Sequence, residues 1–157
     1  MRNIRSRRAI SPVIATVILV AVAITVAVAV AYWMGGIAGQ YTKFEKVEIQ
    51  TGICTYNITN TYWKIELKLK NTGTATSTMV AAFINDVEVM NYNYDVYEVN
   101  ETSTSLNPTA TTIESGEAAT LNFYIGLGYK TLSAGTTVNI KIHSAGGMDY
   151  IKLVELV

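Results

Sequence analysis

The sequence predicts an α+β fold: a long hydrophobic N-terminal α-helix followed by an antiparallel β-sandwich of the immunoglobulin-like kind. Two observations carry this prediction. Residues 12–34 contain no charged side chain. From about residue 40, apolar and polar residues instead alternate in short Thr-, Val-, Ile- and Tyr-rich runs, as they do in half-buried strands. We therefore expect a basic leader (1–9), a hydrophobic helix (10–39) and one sandwich domain (40–157).

The apolar run is long enough to cross a bilayer as a helix. Hydrocarbon about 30 Å thick needs about 20 helical residues at about 1.5 Å each. The pattern predicts a helix from about Ser11 to about Gly35, where a pair of glycines is expected to end it. Pro12 suits the first helical position because its missing N–H would be unpaired there anyway. Tyr32 and Trp33 lie at the far end, where amphipathic rings favour the membrane–water boundary.

The residues before the helix are strongly basic. All four arginines of the chain lie in the first eight positions, with no acidic residue among them. Basic flanks stay on the cytoplasmic side of a membrane, so the C-terminal domain is expected to face outward. Cleavage before Ile10 would remove these four charges and leave eight lysines against twelve acidic residues, a formal charge of −4.

Three interpretations of this leader stay open on charge and length alone. It can be an uncleaved signal-anchor holding an external domain. It can be a secretory signal peptide cut at a site such as Ala27-Val28-Ala29, although such signals have an apolar core of only about 7–15 residues. It can also be a leader cut on the cytoplasmic side of the apolar run, so that the mature protein begins with the hydrophobic helix.

The junction between leader and helix resembles that of archaeal type IV pilins. The residues that carry the resemblance are a basic residue, a small residue and an apolar stretch opening with S-P-V-I: Arg8, Ala9, Ile10, Ser11, Pro12, Val13 and Ile14. The resemblance implies cleavage between Ala9 and Ile10. Bacterial pilins usually carry a glutamate at the fifth mature position, which is Ile14 here, so their carboxylate pairing cannot be carried over. Archaellum subunits share the leader type, but the S-P-V-I opening favours a pilus.

The resemblance also implies a role, partners and a location. The chain would be a structural subunit of an extracellular archaeal type IV pilus, acting in surface adhesion. Its partners would be identical subunits in a helical filament, a prepilin peptidase, an assembly ATPase and a membrane platform protein. The precursor would lie in the membrane with a cytoplasmic N-terminus, and the assembled subunit in a filament on the cell surface. The filament core would comprise Val13, Ile14, Val17, Ile18, Leu19, Val20, Ile24, Val28 and Trp33.

An alternative function follows if the leader is not cut. The chain would then be a membrane-anchored extracellular binding domain. The two interpretations predict different N-termini: Ile10 in sheared filaments for the subunit, and Met1 or Arg2 in the membrane fraction for the anchored module.

Eight strand-like runs are predicted in the C-terminal domain, separated by turn signals such as Asn71-Thr72-Gly73. They are 44–50, 51–59, 63–70, 78–84, 87–90, 118–125, 136–143 and 148–157. Between them, residues 91–112 form a polar, Tyr-rich stretch that is expected to be a surface loop or a short edge hairpin. Tyr92, Tyr94 and Tyr97 offer apolar area with a polar tip, and the hypothesis is that they contact a neighbouring subunit or an external target.

The composition gives no support for catalysis, a metal site, a cofactor or nucleic-acid binding. His143 is expected to face solvent on a strand, and Cys54 to be a half-buried strand residue without an internal disulfide. No glycine-rich phosphate loop occurs. Two sequons are candidates for N-glycosylation, at Asn57 and Asn100.

Overall fold

A computed structural model describes residues 11–95, 98–109 and 111–157. Arg8, Ala9 and Ile10 of the predicted cleavage junction lie outside the described residues, as does Tyr97. The chain divides into two compact units, Met1–Thr42 and Lys43–Val157. Each unit is described separately below.

The first unit contains one helix, α1 (Pro12–Tyr41). Pro12 begins the helix as predicted, but the Ser11 side chain makes no capping hydrogen bond. The predicted end near Gly35 is wrong, because the helix continues six residues beyond it. Gly35 does not adopt the positive φ that a glycine needs to end a helix. The helix ends where the Thr42 N–H donates to Ala38 O at 3.2 Å.

The described residues of the second unit form ten strands. They are β1 (Val47–Asn57), β2 (Tyr62–Asn71), β3 (Ser77–Ile84), β4 (Val87–Glu88), β5 (Asn91–Tyr92), β6 (Thr102–Thr104), β7 (Thr111–Ile113), β8 (Ala118–Gly126), β9 (Thr137–Ser144) and β10 (Asp149–Glu155). One sheet has the order β1-β2-β8-β6-β5, and the other has the order β10-β9-β3-β4, with β7 pairing to β3. All pairs are antiparallel except β5 with β6.

This strand order confirms the predicted immunoglobulin-like sandwich. In that fold strands A, B, E and D form one sheet, and strands C, F and G form the other. Here β1, β2, β8 and β6 occupy the first set of positions, while β3, β9 and β10 occupy the second. Together with α1, the two sheets give the α+β fold that the sequence predicts.

The core lies between the two sheets and follows the predicted alternation. On β2 the inward residues Ile65, Leu67 and Leu69 are fully buried, while Glu66 and Lys68 between them point to the other face. Equally apolar side chains come from the neighbouring strand β8, including Phe123, and from the facing strand β9, including Ile140. Every member of the core cluster comes from residue 47 onward, so the sandwich encloses its own core.

Two strand predictions need correction. The runs 44–50 and 51–59 are not two strands, because β1 continues through the region with one irregularity between Ile49 and Thr51. Gly52 allows this, since its missing side chain leaves room for Leu67 beneath the strand: a Cβ there would lie 2.9 Å from Leu67 Cδ2.

The stretch 91–112 is also more than a surface connection. It supplies the short strands β5 and β6 and the start of β7. Thr102, Ser103 and Thr104 are buried against β8, and Leu106 is fully buried in the core. Some of these polar residues are satisfied inside the sheet: Thr104 Oγ1, for example, donates to Asn122 O at 2.9 Å. Of the two predicted alternatives, strands at the sheet edge are closer to the structure than a surface loop, although β5 and β6 pair in parallel and form no hairpin.

Residues 43–46, here called the lead-in segment, are held by the β2–β3 turn. The Phe44 N–H donates to Thr74 Oγ1 at 3.0 Å, and the Phe44 carbonyl accepts from the Thr74 and Ala75 N–H groups. The Lys46 carbonyl accepts from the N–H of Gly73 at 3.0 Å. The place at which the chain joins the sandwich is therefore fixed by backbone hydrogen bonds.

Candidate interaction surface on the apolar helix

The surface of α1 is apolar all round and contains no buried residue. The nine side chains predicted to form a filament core are each more than half exposed: Val13, Ile14, Val17, Ile18, Leu19, Val20, Ile24, Val28 and Trp33. Contiguous exposed apolar surface of this size marks a site of contact with lipid or with other protein. The helix is therefore the main candidate for an interaction surface.

The two hydroxyl groups in the apolar part of the helix are already satisfied. Thr16 Oγ1 donates to Val13 O at 2.8 Å, and Thr25 Oγ1 donates to Ala21 O at 2.8 Å. Such bonds to the preceding turn remove the cost of placing a hydroxyl in an apolar medium. Neither threonine therefore opposes burial of the helix in lipid or among other helices.

The helix is long and apolar enough to cross a membrane, by length and composition. Its first twenty residues, 12–31, span about 30 Å at about 1.5 Å per residue, which matches the hydrocarbon thickness. Tyr32 and Trp33 follow directly and are 87% and 66% exposed. Their position suits the interfacial belt in which amphipathic aromatic rings are favoured.

The last turns of α1 carry an open backbone surface. Gly35 and Gly39, four residues apart, have no other group within 4 Å of the position of a Cβ. Next to them, a shallow apolar groove of about 210 Å³ is lined by Tyr32, Trp33, Gly36, Ile37 and Gln40. Glycines at this spacing let another helix approach closely.

A second apolar depression lies on the sandwich, at the end opposite the lead-in segment. It has a volume of about 210 Å³ and is lined by Tyr56, Trp63, Leu127, Leu132, Ser133, Ala134 and Val157. The indole of Trp63 donates to Val157 O at 2.8 Å, which fixes the ring at its base. Nothing in the sequence periodicity points to this depression, because its residues come from four separate segments.

The two sequons differ in their surroundings. Asn57 ends β1, and its Oδ1 accepts from the N–H groups of Thr59 and Asn60, both at 3.0 Å. Ile58 is 81% exposed and Thr59 is exposed, so this hairpin tip is open to solvent. Asn100 is also exposed.

The hydroxyl of the second sequon is in a different state. Thr102, two residues after Asn100, is 1% exposed. Its Oγ1 has no hydrogen-bond partner among the described residues. In the folded domain the hydroxyl of this sequon is therefore inaccessible.

The tyrosines of the 91–112 stretch separate into two kinds. Tyr92 packs against the core, and its hydroxyl donates to Glu88 Oε1 at 3.0 Å. Burial, with a contribution from Glu88, raises the pKa of Tyr92. Tyr94 is 56% exposed, so of the two described tyrosines it is the one still available as a contact residue.

The two reactive side chains that the sequence singled out lie on strands. His143 Nδ1 is 2.6 Å from Asp149 Oδ1 on the outer face of the second sheet, and both are partly exposed. Cys54 is half-buried, as predicted. Burial raises the pKa of the Cys54 thiol, which lowers the fraction of reactive thiolate. Among the described residues, no group of three or more His, Cys, Asp or Glu side chains could hold a metal ion.

The comparisons with known proteins find similarity in structure but not in sequence. No protein-family model matches the sequence, and curated proteins give no match to it. The structure is similar to a chain of the archaeal flagellum of Methanospirillum hungatei strain JF1, with a TM-score of 0.45 and 17% identity over 94% of each chain. A likeness this distant says nothing about the role of the present chain.

Proposed function

We propose that this chain is the structural subunit of an extracellular filament of the archaeal type IV pilus kind. One observation carries the proposal: a 30-residue apolar helix without a single buried side chain precedes a sandwich that encloses its own core. The helix needs an apolar partner that its own domain does not supply. The leader junction at residues 8–12 supports the view that this partner is first lipid and then the helices of other subunits.

The energetics support two successive environments for the helix, first the membrane and then the filament. Burial of each large apolar side chain away from water is worth about 1.5–3 kcal/mol, so a bundle of such helices does not dissolve in water. Relative to lipid that term nearly vanishes, because lipid tails are as apolar as neighbouring helices. Extraction of the helix from the membrane therefore requires an external source of energy. An assembly ATPase with a membrane platform protein would supply it, after a prepilin peptidase has removed residues 1–9.

The proposed assembly is an open helix of identical subunits. The residues predicted as filament core would lie at its centre, and the sandwiches would form its outer surface, in contact with the environment and suited to adhesion. Contacts in such an assembly are heterologous, so that each subunit uses two different surfaces. The open backbone at Gly35 and Gly39 would allow close helix packing there.

N-terminal mass spectrometry of sheared surface filaments tests this proposal. We expect the mature chain to begin at Ile10. The double variant Arg8→Gln/Ala9→Leu should retain its leader, stay in the membrane fraction and form no filaments. Arg2→Gln is the matched control, because it removes one charge outside the junction and should assemble normally. Normal filaments from the double variant would contradict the proposal.

The membrane-anchored binding domain remains the second candidate, and one observation favours it. The apolar depression around Trp63 lies at the free end of the sandwich, where a bound molecule would meet no steric obstacle from the lead-in segment. This function predicts an unprocessed N-terminus at Met1 or Arg2 and no chain in the sheared fraction. The same mass measurement therefore separates the two candidates.

We also propose N-glycosylation, chiefly at Asn57. Its sequon lies at an open hairpin tip with an exposed Thr59, whereas the Thr102 hydroxyl of the second sequon is buried. Intact-mass measurement of the secreted chain should show added sugar that Asn57→Gln removes in larger part than Asn100→Gln. An unmodified mass for the unaltered chain would contradict this assignment.

A further inference from the structure

The two outer faces of the sandwich differ in charge. Outward side chains of β2 include Lys64, Lys68 and Lys70 with one acid, Glu66, which leaves a formal charge of +2. We call this the basic face. None of its three lysines forms a salt bridge among the described residues.

The outer face of the second sheet is acidic. It carries Asp86, Glu88, Asp149 and Glu155 against one lysine, Lys141, which leaves a formal charge of −3 with His143 neutral. We call this the acidic face. Lys141 is already engaged, because its Nζ lies 2.8 Å from Asp86 Oδ1 and 4.9 Å from the centre of the Phe83 ring. Glu155 remains exposed at the end of β10.

Both faces also carry apolar side chains where a solvated sheet face would be polar. On the acidic face, Ile151 and Leu153 are 55% and 64% exposed. They stand opposite Lys141 and Asn139 on β9. Beside the basic face, Ile53 on β1 is 53% exposed and lies opposite Glu66. Apolar centres with a charged surround are typical of surfaces that bind protein.

We propose that the basic face of one copy of this chain binds the acidic face of the next copy. The charges of the two faces are opposite in sign, and each face supplies exposed isoleucine or leucine to cover the other. Since the two faces lie on opposite sides of one sandwich, the contact is heterologous and continues from copy to copy. The inference rests on the proposed function and adds to it the surfaces by which the outer domains meet.

The contact need not be strong by itself. Exposed ion pairs are individually weak and are screened by salt over about 10 Å at 0.1 M. In a filament, however, the helices already hold the domains close together, which makes the second contact effectively intramolecular. Weak complementary faces then suffice to set the arrangement of the domains, while single copies in solution stay apart.

Zero-length carbodiimide crosslinking of sheared filaments, read by peptide mass spectrometry, tests the proposal. The reagent joins a lysine to a carboxylate only when the two are in contact. The two faces belong to sheets about 10 Å apart and point away from each other, so the crosslink cannot form within one chain. We expect links from Lys64, Lys68 or Lys70 to Asp149 or Glu155.

Charge reversal gives the second readout. Lys68→Glu should strongly reduce these links while the filaments, which the helices hold together, stay assembled, and the double variant Lys68→Glu/Glu155→Lys should restore the links. Lys130→Glu is the matched control, since it makes the same charge change on a loop outside both faces and should behave as the unaltered chain. An equal loss in Lys130→Glu would overturn the proposal.

The outcomes separate the two levels of inference. Filaments that form normally but give crosslinks only between other residues would overturn the pairing of these faces and leave the proposed function intact. Absence of filaments from the unaltered chain would overturn the proposed function, and the pairing with it.

Discussion

A single buried asparagine connects three segments at one end of the sandwich. The side-chain N–H₂ of Asn71 donates to Ala75 O at 2.8 Å and to Ile113 O at 2.9 Å, and its Oδ1 accepts from the N–H of Gly73 at 2.9 Å. Asn71 is fully buried, so water cannot replace these bonds. The same turn holds the lead-in segment, which makes this residue a support for the point where the chain joins the domain.

Replacing this asparagine should be costly. Asn71→Ala takes the side-chain donor away from two carbonyls, and each orphaned buried group costs about 1–3 kcal/mol; the Gly73 N–H keeps its bond to Lys46 O. Allowing for relaxation of the turn, we expect a loss of about 2–4 kcal/mol in the free energy of unfolding. Denaturant unfolding in detergent, followed by Trp63 fluorescence in a Trp33→Phe background, measures it. The neighbouring Lys70→Ala should change stability by less than about 0.5 kcal/mol; an equal effect of both variants would contradict the assignment.

At the scale of elements, the lead-in segment is the junction between helix and sandwich. Besides the backbone bonds to the β2–β3 turn, the Glu45 carboxylate accepts hydrogen bonds from Ser77 Oγ and, at 3.3 Å, from the Tyr150 hydroxyl. Burial, followed by the charge of Glu45, raises the pKa of Tyr150. Backbone and side chains together fix this segment on the domain.

Gly73 is the position most sensitive to change in this junction. A Cβ there would lie 2.5 Å from Phe44 O and 2.6 Å from Lys46 N, and backbone atoms cannot move aside without breaking the bonds that they make. Gly73→Ala should therefore cost about 1–3 kcal/mol and detach the lead-in segment. We expect faster tryptic cleavage after Lys43 and Lys46, measured by limited proteolysis of the detergent-solubilised chain.

A second glycine supplies the control for that experiment. Gly39→Ala introduces a methyl group where no other group lies within 4 Å, and alanine favours the helix by about 1 kcal/mol over glycine. Cleavage after Lys43 and Lys46 should keep its original rate in this variant. Unchanged cleavage in Gly73→Ala as well would show that the turn does not hold the segment.

The elements show which sequence signals were informative. Alternation on β2 predicted a strand correctly, because burial there repeats with the two-residue period of the strand. The apolarity of α1 predicted a helix correctly for another reason, namely that an uncharged run of this length is suited to cross a membrane as a helix. The end of the helix was mispredicted. Gly35 keeps helical backbone geometry, and at this exposed position the absence of a side chain causes no strain. Residues 102–104 were missed because Thr and Ser are buried there, and hydropathy does not register polar side chains that a sheet can bury, such as Thr104 with its bond to Asn122 O.

Only part of the candidate interaction surface could be predicted from the sequence. Exposure of the nine residues on α1 that are predicted to form a filament core follows from their uniform apolarity along one continuous segment. Three other features depend on which strands become neighbours: the depression around Trp63, the hydrogen bonds that hold the lead-in segment, and the opposite charge of the two faces. That information is absent from any local pattern, because it arises only when residues far apart in the chain are brought together.

At the scale of the whole molecule, the hydrophobic core and the largest exposed apolar surface belong to different units. All members of the hydrophobic core belong to the second unit, whereas the apolar helix contributes no buried residue. Residues 43–157 carry eight lysines and twelve acidic residues, and a formal charge of −4 favours solubility. The sandwich therefore has what it needs to fold without α1.

Removing residues 1–42 should convert the chain into a soluble protein of unchanged domain stability. We expect the fragment 43–157 to be monomeric without detergent, because the surface that requires lipid or other helices is gone. Its free energy of unfolding should match that of the full chain in detergent within about 0.5 kcal/mol, since no core contact is lost. Trp63 fluorescence during denaturant unfolding gives both values, and light scattering gives the mass. In the fragment Asn71→Ala should cost as much as in the full chain. A fragment that is unfolded, or that needs α1 to reach full stability, would contradict the conclusion that the sandwich folds independently of α1.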